Sequence, residues 1–121
     1  MVLYFADSTA SLRWNTTGIT IFGVSSIAGS ASNQLNQPGD ATWVSPNILY
    51  IVDSNNDRIQ KYTIGDLVAT TVAGQANTTG GSSAIYFNNP TCVRVDSAGG
   101  IYVADSNSAL PGQIICWKWN E

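Results

Sequence analysis

The sequence predicts an all-β fold made of repeated, four-stranded antiparallel units, and three observations support this prediction. One hexapeptide occurs three times, at residues 3–8 (LYFADS), 49–54 (LYIVDS) and 101–106 (IYVADS). The tyrosines of the copies are 46 and 52 residues apart, a spacing typical of proteins that stack supersecondary units or arrange them in a ring. No stretch of about 11 residues keeps a helical apolar period without interruption by Gly, Pro or turn residues.

Each predicted strand is a short run rich in β-branched and aromatic residues, bounded by Gly, Pro, Asn, Asp or Ser. The ten predicted strands are residues 3–7, 11–15, 19–28, 41–45, 48–53, 58–63, 67–73, 92–96, 100–105 and 113–119. Four strands per repeat is the content of a propeller blade. We therefore expect one complete blade at residues 36–74. Partial blades are expected at residues 1–29 and 88–119, all within a single domain of residues 1–121.

Features outside the hexapeptide repeat as well. A proline lies 12 residues before the second and third tyrosines, at Pro38 and Pro90. The tripeptide at residues 27–29 (IAG) is echoed at residues 72–74 (VAG). We expect the two prolines to occupy equivalent positions when the blades are overlaid.

The whole unit resembles the NHL-repeat family of β-propellers, over about two and a half repeats and nearly the full chain. The best match is residues 36–74, centred on YIVDSNNDRIQ at residues 50–60, and a second good match runs from residue 88 to 106. The first repeat departs from the family with SLRW at residues 11–14, where the family has Arg-Ile-Gln. The third inserts Leu-Pro-Gly at residues 110–112 and lacks the arginine. The resemblance implies the fold and no single activity, because NHL propellers serve many roles.

The resemblance also implies that the propeller in this chain is incomplete, because NHL propellers usually close with more blades. Exposed sheet edges at both ends would invite aggregation. We therefore expect the partners to be copies of this chain, in a ring or filament, or the remainder of a longer propeller chain. They should pack against residues 3–14 of the first blade and residues 114–119 of the last.

Composition excludes several classes of function. Charged residues make up 11% of the chain, the formal net charge is −3, and the five Lys and Arg residues are dispersed, which disfavours nucleic-acid binding. No apolar run of about 18 residues occurs, so no membrane insertion is expected. The absence of His removes the commonest general base and zinc ligand, and no Gly-x-Ser-x-Gly motif occurs. We expect no enzymatic activity, cofactor or metal.

Asp7, Asp53 and Asp105 occupy one equivalent position in the three repeats. We expect them to be structural turn residues whose carboxylates accept N–H groups of the following turn. The alternative is a cation site, in which further oxygen ligands would come from Asn55, Asn56, Asp57 and Asn107. Calcium requires six to eight converging oxygens, and equivalent residues on neighbouring blades are generally too far apart to share one ion.

Two N-glycosylation sequons begin at Asn15 and Asn77, each in a loop-like segment with glycine nearby. Low charge and many hydroxyl residues fit a glycan-coated protein, so we expect both amides to point outward and carry glycans on a secreted, extracellular protein. The alternative is two unmodified polar turns.

Cys92 and Cys116 are the two cysteines of the chain. In the blade they would be separated by two inter-strand steps, roughly 9.5 Å, which exceeds disulfide reach. We expect both to be unpaired, and pairing with another chain is the alternative. Trp117 and Trp119 share one face of their strand and are expected to pack in the core.

These observations together predict an extracellular structural or interaction module built from NHL-type blades and able to self-assemble. A lectin-like propeller that binds carbohydrate or another ligand through exposed aromatic residues is one alternative. A glycan-coated filament subunit is another, and an enzyme is disfavoured.

Overall fold

The structure, a computed structural model, describes residues 16–75, 86–106 and 114–117, the last of these as backbone alone. The strands are β1 (Pro38–Val44), β2 (Ile48–Asp53), β3 (Arg58–Thr63), β4 (Thr70–Gly74), β5 (Pro90–Val95), β6 (Ile101–Asp105) and β7 (Ile114–Trp117). A 3-10 turn, Ser54–Asn56, joins β2 to β3. No α-helix occurs in the described ranges. The predicted all-β class is confirmed.

The strands form two antiparallel sheets. The four-stranded sheet has the order β1-β2-β3-β4 and is called the central blade here. The three-stranded sheet has the order β5-β6-β7 and is called the C-terminal blade. These are the meander sheets expected of incomplete propeller blades, because each strand pairs with the next strand along the chain. No helix in the described part of the chain is long and apolar enough to cross a membrane.

The predicted strand at residues 19–28 is wrong. This region contains a single isolated bridge between Val24 and Ile27. Gly23 and Ser26 have positive φ angles of 94° and 63°, which turn the chain away from an extended conformation. Residues 16–35, called the N-terminal segment here, are therefore largely irregular. The predicted strands at 3–7 and 11–15 lie outside the described residues.

The two blades begin in the same way. Pro38 pairs with Asp53, and Pro90 pairs with Asp105, and the register of each ladder shifts immediately after the proline. Proline fits this position because it has no N–H to donate and is tolerated at the first residue of a strand or at a bulge. The predicted equivalence of the two prolines is confirmed.

Alternation along the strands gives the central blade two apolar faces. One face packs on the C-terminal blade, and the shared core contains Val52, Ile59, Val72, Ala73, Phe87, Val93, Ile101 and Val103. The opposite face includes Leu49, Ile51 and Tyr62, and it packs with Ala69 and with Phe22 and Leu35 of the N-terminal segment. The Phe22 and Tyr62 rings are 4.3 Å apart between centroids, so the N-terminal segment lies on this second face.

Candidate functional site

The repeated aspartates are buried at the ends of β2 and β6. Asp53 is 0% exposed and Asp105 is 2% exposed. The Asn36 N–H donates to Asp53 Oδ1 over 2.7 Å, and the Asn88 N–H donates to Asp105 Oδ1 over 3.1 Å. Each carboxylate thus holds the chain that leads into the first strand of its own blade.

We expected Asp53 to accept a backbone N–H from the turn that follows it, and the 3-10 turn at Ser54–Asn56 makes no such cap hydrogen bond. The donor N–H lies 17 residues before the carboxylate rather than in the turn that follows it. The proposed turn role of Asp53 and Asp105 stays a prediction, and Asp7 lies outside the described residues.

Asp53 also anchors a buried polar network. Its Oδ2 accepts hydrogen bonds from Arg58 Nε and Asn56 Nδ2, each over 2.8 Å. Arg58 and Asn56 are 2% and 4% exposed. Because both Asp53 oxygens accept N–H groups and the nearest charge is a guanidinium, this carboxylate is poorly suited to hold a cation. Within the described residues, no group of three His, Cys, Asp or Glu side chains converges as a metal site.

The same network binds the N-terminal segment. Arg58 Nη2 donates to the carbonyl oxygens of Ala31 and Gln34 over 3.1 and 3.2 Å. Asn56 Nδ2 donates to the Gly29 carbonyl oxygen over 2.8 Å. Residues 29–36 are thereby attached to the β2–β3 turn. Their acceptors are backbone carbonyl oxygens, so these hydrogen bonds do not depend on which side chains residues 29–36 carry.

Polar contacts also join the two blades at the β2–β3 turn. The Ser54 hydroxyl donates to the Pro90 carbonyl oxygen over 2.7 Å. Asp57, in a left-handed conformation with φ of 52°, accepts the Asn89 N–H at Oδ1 over 2.6 Å. The start of β5 is thus bound by one donor, Ser54, and one acceptor, Asp57, of the central blade.

A third contact between the blades lies on their first strands. Asp40 Oδ2 accepts the Val93 N–H over 3.1 Å and Arg94 Nη1 over 2.6 Å. Burial raises the pKa of Asp40, but the Val93 N–H, the Arg94 guanidinium and the Cys92 thiol together outweigh it and lower the pKa below its ordinary value. The ionised form of Asp40 is therefore favoured at the interface.

Cys92 lies beside this ion pair and is half-buried. Its pKa is raised, first by burial and then by its hydrogen bond to Asp40. β6 separates the strands that carry Cys92 and Cys116. The absence of a disulfide between them stays a prediction, because the side chain of Cys116 lies outside the described part.

Sequence reasoning missed the contacts between blades. Asp40 and Arg94 were not singled out, because the residue equivalent to Asp40 in the next repeat is Cys92 and no pattern repeats. Asp57 and Asn89 carried a usable signal, since Asp and Asn are the residues most tolerant of the left-handed conformation that both adopt. The sequons at Asn15 and Asn77 lie outside the described residues, as do the side chains of Trp117 and Trp119.

Comparison with known proteins agrees with this architecture. Residues 87–109, which include β5 and β6, match the family model of the NHL repeat. No curated protein matches the chain. The predicted resemblance to the NHL repeat is thus confirmed at residues 87–109, and the two antiparallel sheets are consistent with incomplete blades of a β-propeller.

Proposed function

We propose that this protein is an extracellular structural and interaction module that assembles with further propeller blades through the outer face of its C-terminal blade. The partner blades are copies of this chain or the remainder of a longer one. The observation that carries the proposal is a difference between two equivalent tyrosines. Tyr50 packs against the core between the blades, whereas Tyr102 is 40% exposed.

The equivalence of these tyrosines follows from the strand pairing. Tyr50 lies opposite Lys61 on β3, and Tyr102 lies opposite Cys116 on β7. On the central blade this face is covered by the C-terminal blade. The same face of the C-terminal blade has no counterpart among the described residues, so it supplies the surface that another blade would cover.

Other large apolar side chains are also exposed within the described part of the chain. The most exposed are Ile19, Trp43 and Leu67, at 82%, 63% and 89%. Covering about 400 Å² of apolar surface stabilises a contact by about 10 kcal/mol before the costs of association. The two ends of the chain differ, so contacts between copies are head-to-tail and give a ring if the rotation closes or a filament if it does not.

Sedimentation tests this assembly. We expect the wild-type protein to form species larger than 12.8 kDa in a concentration-dependent way. Tyr102→Asp should shift these species to monomer, because it places a charge in the contact. Ser97→Asp is the matched control, since it adds the same charge to an exposed turn of the same blade. A wild-type protein that stays a 12.8 kDa monomer at every concentration contradicts self-assembly.

The extracellular part of the proposal rests on composition and on the sequons. Glycans on Asn15 and Asn77 would solubilise a chain in which only 11% of the residues are charged. Production in a glycosylating host, with Asn15→Gln and Asn77→Gln as separate variants, should show a mass loss for each variant. Treatment with an N-glycosidase that leaves the wild-type mass unchanged contradicts this part of the proposal.

A carbohydrate-binding role is a second candidate because of Trp43. Its indole is 63% exposed on β1 and is available to stack on a sugar ring. Binding to a glycan panel that is lost in Trp43→Ala and kept in Leu67→Ala would favour this candidate over assembly alone.

A further inference from the structure

Two residues on each side form the junction between the central and C-terminal blades. On the central blade, the Ser54 hydroxyl donates to the Pro90 carbonyl oxygen over 2.7 Å, and Tyr50 packs against the core between the blades. On the C-terminal side, Phe87 and Pro90 are fully buried. A serine and a tyrosine of one blade thus meet an aromatic residue and a proline at the start of the next.

One half of an equivalent junction lies on the C-terminal blade. The 52-residue spacing of the second and third repeats makes Tyr102 equivalent to Tyr50 and Ser106 equivalent to Ser54. Ser54 is buried and reaches the next blade. Ser106 is exposed, and its hydroxyl donates over 2.9 Å to the carbonyl oxygen of Asn89, at the start of its own blade. Because Tyr102 is exposed as well, this half of the junction faces solvent.

The other half lies at the start of the central blade. The same spacing makes Leu35 and Pro38 equivalent to Phe87 and Pro90. Pro90 is fully buried, but Pro38 is exposed, and among the described residues no side chain donates to the Pro38 carbonyl oxygen. Leu35, Pro38 and the half-exposed Ile27 line a cavity of about 390 Å³. The cavity thus has apolar side chains beside Pro38, whose carbonyl oxygen is equivalent to the one that binds a serine in the next blade.

We propose that this cavity binds the C-terminal blade of a second copy of the chain. The Ser106 hydroxyl of the second copy donates to the Pro38 carbonyl oxygen, and its Tyr102 packs against Leu35 and Ile27. A second copy fits this place because it supplies the serine and the tyrosine in the arrangement that already joins the two blades of one chain. The inference rests on the proposed function, and it names the surface that receives the C-terminal blade.

Sedimentation of two variants, separately and mixed, tests whether these two surfaces bind each other. Tyr102→Asp disables the C-terminal blade, and Ile27→Asp places a charge in the cavity. Each variant alone should be monomeric, because every contact between copies needs both surfaces. An equimolar mixture should form a complex of two chains and nothing larger, because one variant keeps its cavity and the other keeps its blade.

Leu67→Asp is the matched control for the cavity variant. Leu67 is an exposed apolar residue of the β3–β4 loop and does not line this cavity, so this variant should assemble as the wild type does. Ser106→Ala should weaken assembly by roughly two- to tenfold, because it removes the hydrogen bond to Pro38. Ser97→Ala should leave assembly unchanged, and circular dichroism checks that each variant is folded.

The outcomes separate this inference from the proposal on which it rests. An Ile27→Asp chain that assembles like the wild type, while Tyr102→Asp is monomeric, overturns the cavity as the receiving surface and leaves the proposed assembly standing. A mixture that stays monomeric overturns it as well, and so does unchanged assembly of Ser106→Ala. A wild-type chain that is monomeric at every concentration overturns the proposed self-assembly and this inference with it.

Discussion

The Asp53 carboxylate and the Arg58 guanidinium lie 2.8 Å apart, with their side chains 0% and 2% exposed. The two residues face each other at the ends of β2 and β3, next to the turn that joins these strands. Buried charges are tolerated only when they are paired and hydrogen-bonded. Here the carboxylate receives further N–H donors from Asn36 and Asn56, and the guanidinium donates to two carbonyl oxygens of the N-terminal segment.

Removing one member of this pair should be strongly destabilising. Asp53→Ala leaves the Arg58 charge buried without its partner and should lower the free energy of unfolding by about 3–5 kcal/mol. This exceeds the roughly 0.5–2 kcal/mol expected for losing an ordinary turn or capping oxygen. Urea denaturation measures the effect, and an Asp53→Ala chain that is already unfolded in water would show that the loss is at least as large as the stability of the wild type.

Asp66→Ala is the matched control for this change. Asp66 is exposed in the β3–β4 turn, so its loss should change the free energy of unfolding by less than about 0.5 kcal/mol. Equal urea midpoints for Asp53→Ala and Asp66→Ala would show that the buried pair adds nothing to stability.

Gly74→Ala tests the close approach of β4 to its neighbours. Gly74 has a φ of 79°, and an added Cβ would collide with the Asp57 carbonyl oxygen and approach Arg58 Cα to 2.9 Å and Phe87 Cδ2 to 3.0 Å. The left-handed backbone alone costs an L-residue about 1–2 kcal/mol. We expect a larger loss here, because backbone atoms cannot move aside as a flexible side chain can.

Gly65→Ala separates the cost of the left-handed backbone from the cost of the steric collision. Gly65 also has a positive φ, 105°, but no atom lies within 4 Å of its added Cβ. Thermal unfolding of both variants should therefore show the greater destabilisation for Gly74→Ala. The reverse order would contradict the close packing of Gly74 against the β2–β3 turn.

The Asp40–Arg94 pair should contribute a small stability that depends on pH. The folded-state pKa of Asp40 is lowered, so its contribution is present above the ordinary value of 3.8 and is lost as the pH falls through the lowered pKa. Because the Arg94 side chain is 63% exposed and solvent screens the pair, we expect the coupling between the two residues to be weak. A double-mutant cycle with Asp40→Asn and Arg94→Met, measured by denaturation at several pH values, should give a coupling that disappears at low pH and weakens at high salt. A coupling that persists unchanged at the lowest pH contradicts the role of the ionised carboxylate.

Sequence predicted the blades well because the information for them is local and repeated. The sequences of β2 and β6 are similar and have a tyrosine and an aspartate at the same positions. The strands around Tyr50 and Tyr102 were therefore predicted to within a residue or two of their bounds. The predicted strand at 19–28 was wrong, because apolar residues there are interrupted by Gly23 and Ser26 in turn conformations.

The polar contacts between blades were harder to predict for a different reason. Asp40 and Arg94 are 54 residues apart, and neither residue recurs at the equivalent position of another repeat. By contrast, Asn36 and Asn88 each precede the repeated aspartate by 17 residues, so the hydrogen bonds to Asp53 and Asp105 could have been inferred from the repeat itself.

Removing the charge of Asp40 and removing the charge of Arg94 should change the reactivity of the Cys92 thiol in opposite directions. Burial raises the pKa of this thiol, the hydrogen bond to Asp40 raises it further, and the Arg94 charge lowers it. The thiolate is the reactive species, so alkylation at mildly alkaline pH should be faster in Asp40→Asn and slower in Arg94→Met than in the wild type. The rate is measured on the peptide that contains Cys92, by mass spectrometry, with Ser97→Ala as a control of unchanged rate. Burial persists in both variants, so neither should reach the rate of the urea-unfolded chain. A change of the same sign in both variants would mean that local opening of β5, and not the charges around the thiol, controls its reactivity.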